Sequence, residues 1–424
     1  MYPHRAATAL LLFTFAALLP AQDVRPKDVR EIAKGGSNAL PQLQELLKNP
    51  RTDVRVEAVK QITGIGSGRC LDPLILATRD NDPEVQVRAA EGLVNFYLPG
   101  YVQSGLGGSL RRVGTSIKGK FTDTNDQVIE SYITVRPDVI AALAAMVRGG
   151  GSLEVRASAA RGIGVLRARE AVPDLIAALR TKDTDVLYES LIAIQKIRDE
   201  SAGPKISFLL RDLNSKVQIA AIETTGLLNN REAAPDLVDV LQHAKEARVR
   251  RAALAALAMM PDPAHRDLYA QYLQDKDEKL RAAAAEGYAR LHTPADLPML
   301  EKAWQDEGKT SPRLSLAFAQ VMLGMNELSE FSPLQFLINT LNSSSYKGEA
   351  YPFLVELARD ARVRASLYGP LATGTKDEKI GLARVLARSG DNTSLPALEK
   401  LSKDTDSDVA QEGLRALRTL QARL

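Results

Sequence analysis

The sequence predicts an all-α protein, an α-solenoid built as a superhelical stack of about ten helix pairs with one Gly-rich basic insertion. Three observations carry this prediction. Val155, Val186, Val217, Val249 and Leu280 open similar segments and are separated by 31, 31, 32 and 31 residues, a period in the range of stacked repeats. Within a segment the apolar residues recur on one helical face, as Val249, Ala253 and Leu257 do. The 424-residue chain is 45% apolar and only 5% aromatic, so Ala and Leu must build the core. Small side chains at the seams let helices approach closely.

Taken in order, the chain opens with a basic start at Arg5, an apolar run from Ala6 to Leu19, and Pro20-Ala21. This is the three-part pattern of a secretory signal, with cleavage expected after Ala21. The run falls short of the roughly 20 residues a bilayer helix needs. Residues 1–21 are therefore read as a signal peptide and the mature chain as exported, periplasmic or extracellular. The single cysteine, Cys70, allows no internal disulfide, which leaves stability to helix packing.

Residues 22–97 are read as N-terminal repeats, 137–325 as the regular array, and 326–424 as irregular C-terminal repeats and a cap. Each unit holds two helices. The first is typified by Ala171 to Leu179, with Pro173 suited to a first helical turn because its missing N–H is not needed there. The second follows a short turn such as Asp183-Thr184-Asp185, whose acid can cap it. The segments at Asp53, Glu154 and Asp185 begin with an acid and then valine, and related ones follow at Lys216, Arg248, Lys279, Lys379-Ile380 and Asp408-Val409. One pair cannot bury its own stripe, so neighbours must stack. From Asn326 to Pro352 the spacing stretches, and Phe331, Phe336, Tyr346, Tyr351 and Phe353 gather there. Their apolar content predicts a packed, irregular repeat.

The pattern Val-Arg-x-x-Ala-Ala, preceded by an acidic turn and a short Ala-Val-Pro-x-Leu helix, resembles HEAT repeats. The close period is similar to the short HEAT-like variety associated with phycobilin lyases. The resemblance spans roughly residues 35–424 and implies a fold used mostly by interaction scaffolds, with structural motif residues. Glu154 with Arg156, and Asp53 with Arg55, resemble the ladder positions between adjacent HEAT units, which makes those arginines structural.

Catalytic and metal signatures are absent from the sequence. His243, His265 and His292 lie in different units, none in a His-Glu-x-x-His spacing and none followed by Glu; each is read as an exposed helix-end residue. Gly64-Ile65-Gly66-Ser67-Gly68 follows a helix where a dinucleotide loop would follow a strand, so it is an inter-helix turn. Cys70 after it is a buried structural thiol. Tyr188 and Trp304 are packing residues, and no Gly-x-Ser-x-Gly elbow occurs. The reading is therefore no enzyme, no metal and no cofactor.

A formal charge of +3 from 55 basic and 52 acidic residues gives no footprint for nucleic acid. The seventh positions of the second helices, Lys60, Glu91, Arg161, Ile192, Glu223, Ala255, Glu286 and Arg415, are mixed in sign, as a solvated face would be. The basic character is local. The insertion 98–136 carries Arg111, Arg112, Lys118 and Lys120 with no acid before Asp123, and its flanking aromatics are Tyr101 and Phe121. These six residues form the expected partner-binding site. The expected function is a non-enzymatic protein-interaction scaffold of the cell envelope that binds a protein partner by its curved surface and this arm. The alternatives are a peripheral binder of an anionic membrane surface or envelope polymer through the same arm, and, by fold analogy only, a lyase-type enzyme or enzyme chaperone.

Overall fold

The computed structural model describes residues 24–102 and 127–424, and every regular element among them is helical. The expected signal peptide and Arg111, Arg112, Lys118, Lys120 and Phe121 lie outside the described residues; Tyr101 lies within them. Two compact units divide the chain, Met1–Phe96 and Tyr97–Leu424.

The first unit contains α1 (Pro26–Ala33), α2 (Leu40–Leu46), α3 (Thr52–Ile65), α4 (Leu71–Ala77) and α5 (Pro83–Tyr97), whose last residue opens the second unit. The second begins its array with α6 (Pro137–Gly149), α7 (Leu153–Val165), α8 (Val172–Ala178), α9 (Thr184–Ile197), α10 (Gly203–Ile206) and α11 (Ser215–Leu227). It continues with α12 (Ala234–His243), α13 (Ala247–Met259), α14 (Arg266–Tyr272), α15 (Glu278–Leu291), α16 (Leu297–Asp306) and α17 (Thr310–Met322). The last six are α18 (Pro333–Asn339), α19 (Lys347–Leu357), α20 (Ala361–Thr373), α21 (Lys376–Ser389), α22 (Leu395–Leu401) and α23 (Ser407–Gln421). The odd-numbered second helices α7 to α23 pack side by side in chain order, and the even-numbered first helices form a layer behind them.

Local chemistry explains the pairing. Pro173 occupies the first turn of α8, and the Asp183 carboxylate caps α9 by accepting the Val186 N–H at 2.9 Å. Asp277, Asp360 and Asp406 cap α15, α20 and α23 in the same way. Val54, Val155, Val186, Val217, Val249 and Leu280 are all buried at the starts of second helices. At the seams, a Cβ on Gly164 would lie 2.7 Å from Ala193 Cα, and one on Gly226 would lie 2.8 Å from Ala256 Cα. Only glycine permits those helix approaches.

The ladder arginines are structural, but their partners differ from the expected ones. The Arg55 guanidinium donates to the carbonyls of Asn49 and Pro50 and to the Asp80 carboxylate at 2.8 and 3.0 Å. Asp53 is paired instead with Arg51. Arg281 repeats the arrangement in the second unit, with the carbonyls of Asp275 and Lys276 and the Glu307 carboxylate. The arginine therefore ties its own turn to the acid of the next turn, about one repeat later. Its neighbouring acid is too close along the helix to span that gap. Arg156 holds its own turn through the Val147 carbonyl.

Near the C-terminus the structure also shifts the register of one segment. The buried position 31 residues before Val409 is Glu378, and Ile380 is only half-buried. Glu378 tolerates that place because Asn342 Nδ2 and the Thr375 N–H donate to its carboxylate. The stretched segment is packed as expected through Phe353, stacked on Phe318 at 4.6 Å, and Phe336, edge-on to Trp304. Phe331 is the exception, 80% exposed with φ +67°.

Candidate functional site

The second helices of the unit Tyr97–Leu424 present one continuous face on the side away from the first helices. On α7 and α9 this face is charged but internally satisfied. Arg161 donates to Glu189 at 2.7 Å and is also partnered by Tyr101. Burial alone would lower the Arg161 pKa, but Glu189 and Tyr101 hold it above its ordinary value. Lys196, 8% exposed, points Nζ toward the Gln127 carbonyl at 3.5 Å. Loss of water pushes its pKa down to about 8, with Glu189 opposing and Arg161 assisting.

On the next helix, burial alone pushes the Glu223 carboxyl up to about 7 from 4.5. Because this folded-state value is raised, burying the acid costs nothing below about pH 4.5, costs progressively more between pH 4.5 and 7 as the unfolded chain ionises first, and costs a constant amount above 7. Glu223→Gln should therefore be more stable than the parent at pH 8, by at most about 3 kcal/mol, and equal to it near pH 4. Denaturant midpoints at the two pH values check this; parallel profiles would contradict it.

The same face bends sharply between α15 and α19. Arg290 on α15 donates to both oxygens of Glu356 on α19 at 2.9 and 2.8 Å, and Lys279 reaches Glu349 at 2.9 Å. Each pair passes over α17. On a flat stack those helices would stand about 16–20 Å apart, too far for two side chains to join, so the face is concave here. Arg290 is largely buried, with Glu286 as a second partner at 3.2 Å and the Phe318 ring 5.1 Å away.

The bend brings the ends of this unit together. The Ile129 N–H donates to the Val165 carbonyl at the end of α7 at 3.0 Å. Next to it, Glu130 accepts Arg415 Nε at 2.6 Å and the Thr419 hydroxyl at 3.3 Å, both from α23. An extended, carboxylate-bearing piece of chain thus clasps the first and last parts of the array across the concave face.

The C-terminal ends of the second helices add a periodic feature. Arg167, Arg198, Asn229 and His292 all have φ between 50 and 61°, and Gly324 occupies a later equivalent position with φ 112°. Glycine suits this left-handed conformation, whereas other residues cost about 1 kcal/mol or more there. Arg167 and Arg198 are exposed, as are Arg359 after α19 and Arg388 in the last turn of α21. Enclosure by protein lowers the pKa of Arg167 and Arg198, and Arg388 contributes to both shifts. Arg167 and Arg359 add to the lowering at Arg198.

Tyr101 is the one expected contact residue within the described set, and it lies on the concave face at Arg161. The seventh positions are not a plain solvated face. Glu91 is 4% and Ile192 6% exposed, Glu286 is paired with Arg290 and Ser315, and Arg415 holds Glu130. In the second unit concavity is the reason, since side chains that would diverge on a flat stack converge; Glu91, in the first unit, is held by Arg88 on its own helix. Cys70 is buried with Sγ 3.6 Å from Ser67 Oγ, and Gly66 ends α3 at φ 66° as an inter-helix turn. His243 and His292 are exposed helix-end residues, but His265 is half-buried with its ring edge-on to Tyr269. Among the described residues no three His, Cys, Asp or Glu side chains gather as a metal would require, and no helix is long and apolar enough to cross a membrane.

No curated protein sequence matches the chain. Solved structures similar to it include an engineered protein, 18% identical over 90% of this chain and 98% of that one, with a TM-score of 0.38. Others are the CpcE–CpcF complex of phycocyanin lyase from a Nostoc species (18%, 68% and 94%, 0.37) and the YibA protein of Escherichia coli (17%, 76% and 99%, 0.41). The family model described as HEAT repeats matches residues 140–207, 204–268 and 244–319. Over residues 140–319 the chain thus matches HEAT repeats, and the structure gives that stretch stacked helix pairs, capped turns and an arginine ladder.

Proposed function

We propose that this protein is a non-enzymatic scaffold of the cell envelope that holds a protein partner on the concave face of the unit Tyr97–Leu424 and on the insertion 98–136. HEAT arrays are generally protein-interaction scaffolds, and the concave face supplies a binding surface without convergent catalytic groups. The observation that carries the reading is the placement of both flanks of the insertion on that face, Tyr101 at Arg161 and Ile129-Glu130 between Val165 and α23. The export reading rests on the leader-like start, and intact mass of the protein from its native host tests it directly.

Replacing Arg111, Arg112, Lys118 and Lys120 together with Ser tests the scaffold reading. On the scaffold reading these side chains serve binding and not packing, so helical content and Tm should hold. Recovery of the cross-linked partner from native envelopes should fall, most at low salt, where a Debye length beyond about 10 Å lets exposed charges act. Unchanged recovery would reduce the insertion to a spacer. Loss of recovery with unchanged binding to detergent-free anionic vesicles supports a protein partner; loss of vesicle binding instead favours the membrane alternative.

A further inference from the structure

The ends of several second helices offer glycine-type positions, and the chain fills two of them with arginine. Gly324 shows what the backbone prefers there, and Arg167 and Arg198 hold the same left-handed conformation at φ 50 and 61°. Strained positions held against their intrinsic preference point to a use for the side chain. Being one period apart on the neighbouring helices α7 and α9, the two guanidiniums leave the array side by side. Arg359 follows α19 and Arg388 lies in the last turn of the neighbouring α21, neither in a left-handed conformation, with Arg388 5.5 Å from the Tyr351 ring.

The clasp joins the two pairs. Val165, two residues before Arg167, bonds Ile129, and Glu130 bonds α23, which packs on the helix carrying Arg388. The electrostatic influence of Arg167, Arg388 and Arg359 on Arg198 reports the same proximity. Among the described residues none of the four guanidiniums has an ion-pair partner. Like charges gathered without counter-charge repel one another, and an anion placed among them relieves that repulsion while gaining charge-assisted hydrogen bonds.

We propose that Arg167, Arg198, Arg359 and Arg388 form a binding site for an acidic peptide segment of the partner protein. This rests on the scaffold reading and names the chemistry of its ligand. The chain's own residues 127–130 show the mode of binding. Extended backbone lies against the end of α7 through the Ile129 N–H, receives Lys196 at the Gln127 carbonyl, and delivers the Glu130 carboxylate to an arginine. A partner strand rich in Asp and Glu reproduces this pattern at the four arginines, whereas a compact phosphate has no use for the backbone contacts.

The test is fluorescence anisotropy of a labelled peptide of alternating Glu and Ser, titrated with the full chain at low and at physiological salt. The peptide should bind, more tightly at low salt, and its Gln counterpart should not. Arg167→Gly with Arg198→Gly should weaken binding about tenfold or more, the equivalent of ~1.4 kcal/mol, while Tm stays level or rises because the left-handed positions now hold glycine. Arg359→Gln with Arg388→Gln should weaken it similarly without touching a left-handed residue. Arg180→Gln with Arg231→Gln, which removes equal charge from exposed turns, should leave binding unchanged. Equal losses in all three variants, or no binding by the parent, would overturn the site. Tighter binding of inorganic tripolyphosphate than of the peptide by the same arginines would overturn the peptide assignment. The experiment uses purified protein and peptide alone, so its failure removes this site and leaves the scaffold reading to the recovery experiment.

Discussion

Val217→Asp should destabilise the protein by about 3–5 kcal/mol and should do so unevenly along the chain. Val217 is fully buried at the start of α11, between α9 and α13. A carboxylate there either stays charged among aliphatic neighbours or takes up a proton, and both carry a large desolvation penalty. Stacked repeats couple mainly to their neighbours, so amide protection should collapse from α9 to α13 and persist in α1–α4 and α21–α23. Hydrogen exchange with mass spectrometry reads this segment by segment. Uniform loss of protection would mean that the array unfolds as one cooperative globule.

Arg290→Ala should have the second large effect, again about 3–5 kcal/mol at neutral pH. The arginine lies between Glu286 and Glu356, also donates to the Ala258 carbonyl, and rests on Phe318. Removing it leaves two carboxylates facing each other with no cation. Burial already pushes Glu286 above its ordinary range, against the pull of Arg290, and without the arginine only the Ser315 hydroxyl opposes that rise. The variant's deficit should therefore be largest above neutral pH and shrink as acid protonates the pair. Arg290→Ala with Glu286→Gln and Glu356→Gln should recover much of the loss. Urea melts across pH check both points, and a pH-independent deficit would show that the lost packing on Phe318 dominates instead.

The repeat itself was legible because its determinants are local. Valine anchors, Asp caps and first-turn prolines each act within a few residues, and their period of 31 to 32 residues repeats them often enough to be read. The ladder was half legible. Arginine in second-helix segments marks a structural cation, but its partner lies 25 or 26 residues on, as Asp80 does for Arg55 and Glu307 for Arg281. The concave site was the least legible, because bond pairs such as Glu130 with Arg415, 285 residues apart, depend on curvature summed over many repeats. Small rotations per repeat leave no mark in one segment. One signal was nonetheless present: positions 167, 198, 229, 292 and 324 follow the period and carry Arg, Arg, Asn, His and Gly. That composition marks a left-handed cap whose occupant varies between strain-free glycine and a projecting cation.

The account turns on the unit Tyr97–Leu424 bending until Arg167 and Arg388 face each other across its concave side. Spin labels at cysteines replacing these two residues, in a Cys70→Ser background, measure this directly by pulsed electron resonance in solution. Seven helix spacings separate α7 from α21 in the packing order, which on a straight stack would place the labels about 60–70 Å apart. The clasp ties the end of α7 to α23, the neighbour of α21, so with the label arms the account expects a distribution far short of that, below about 30 Å, or three helix spacings. A distribution centred near the straight-stack distance would contradict both the clasp and the arginine site it encloses.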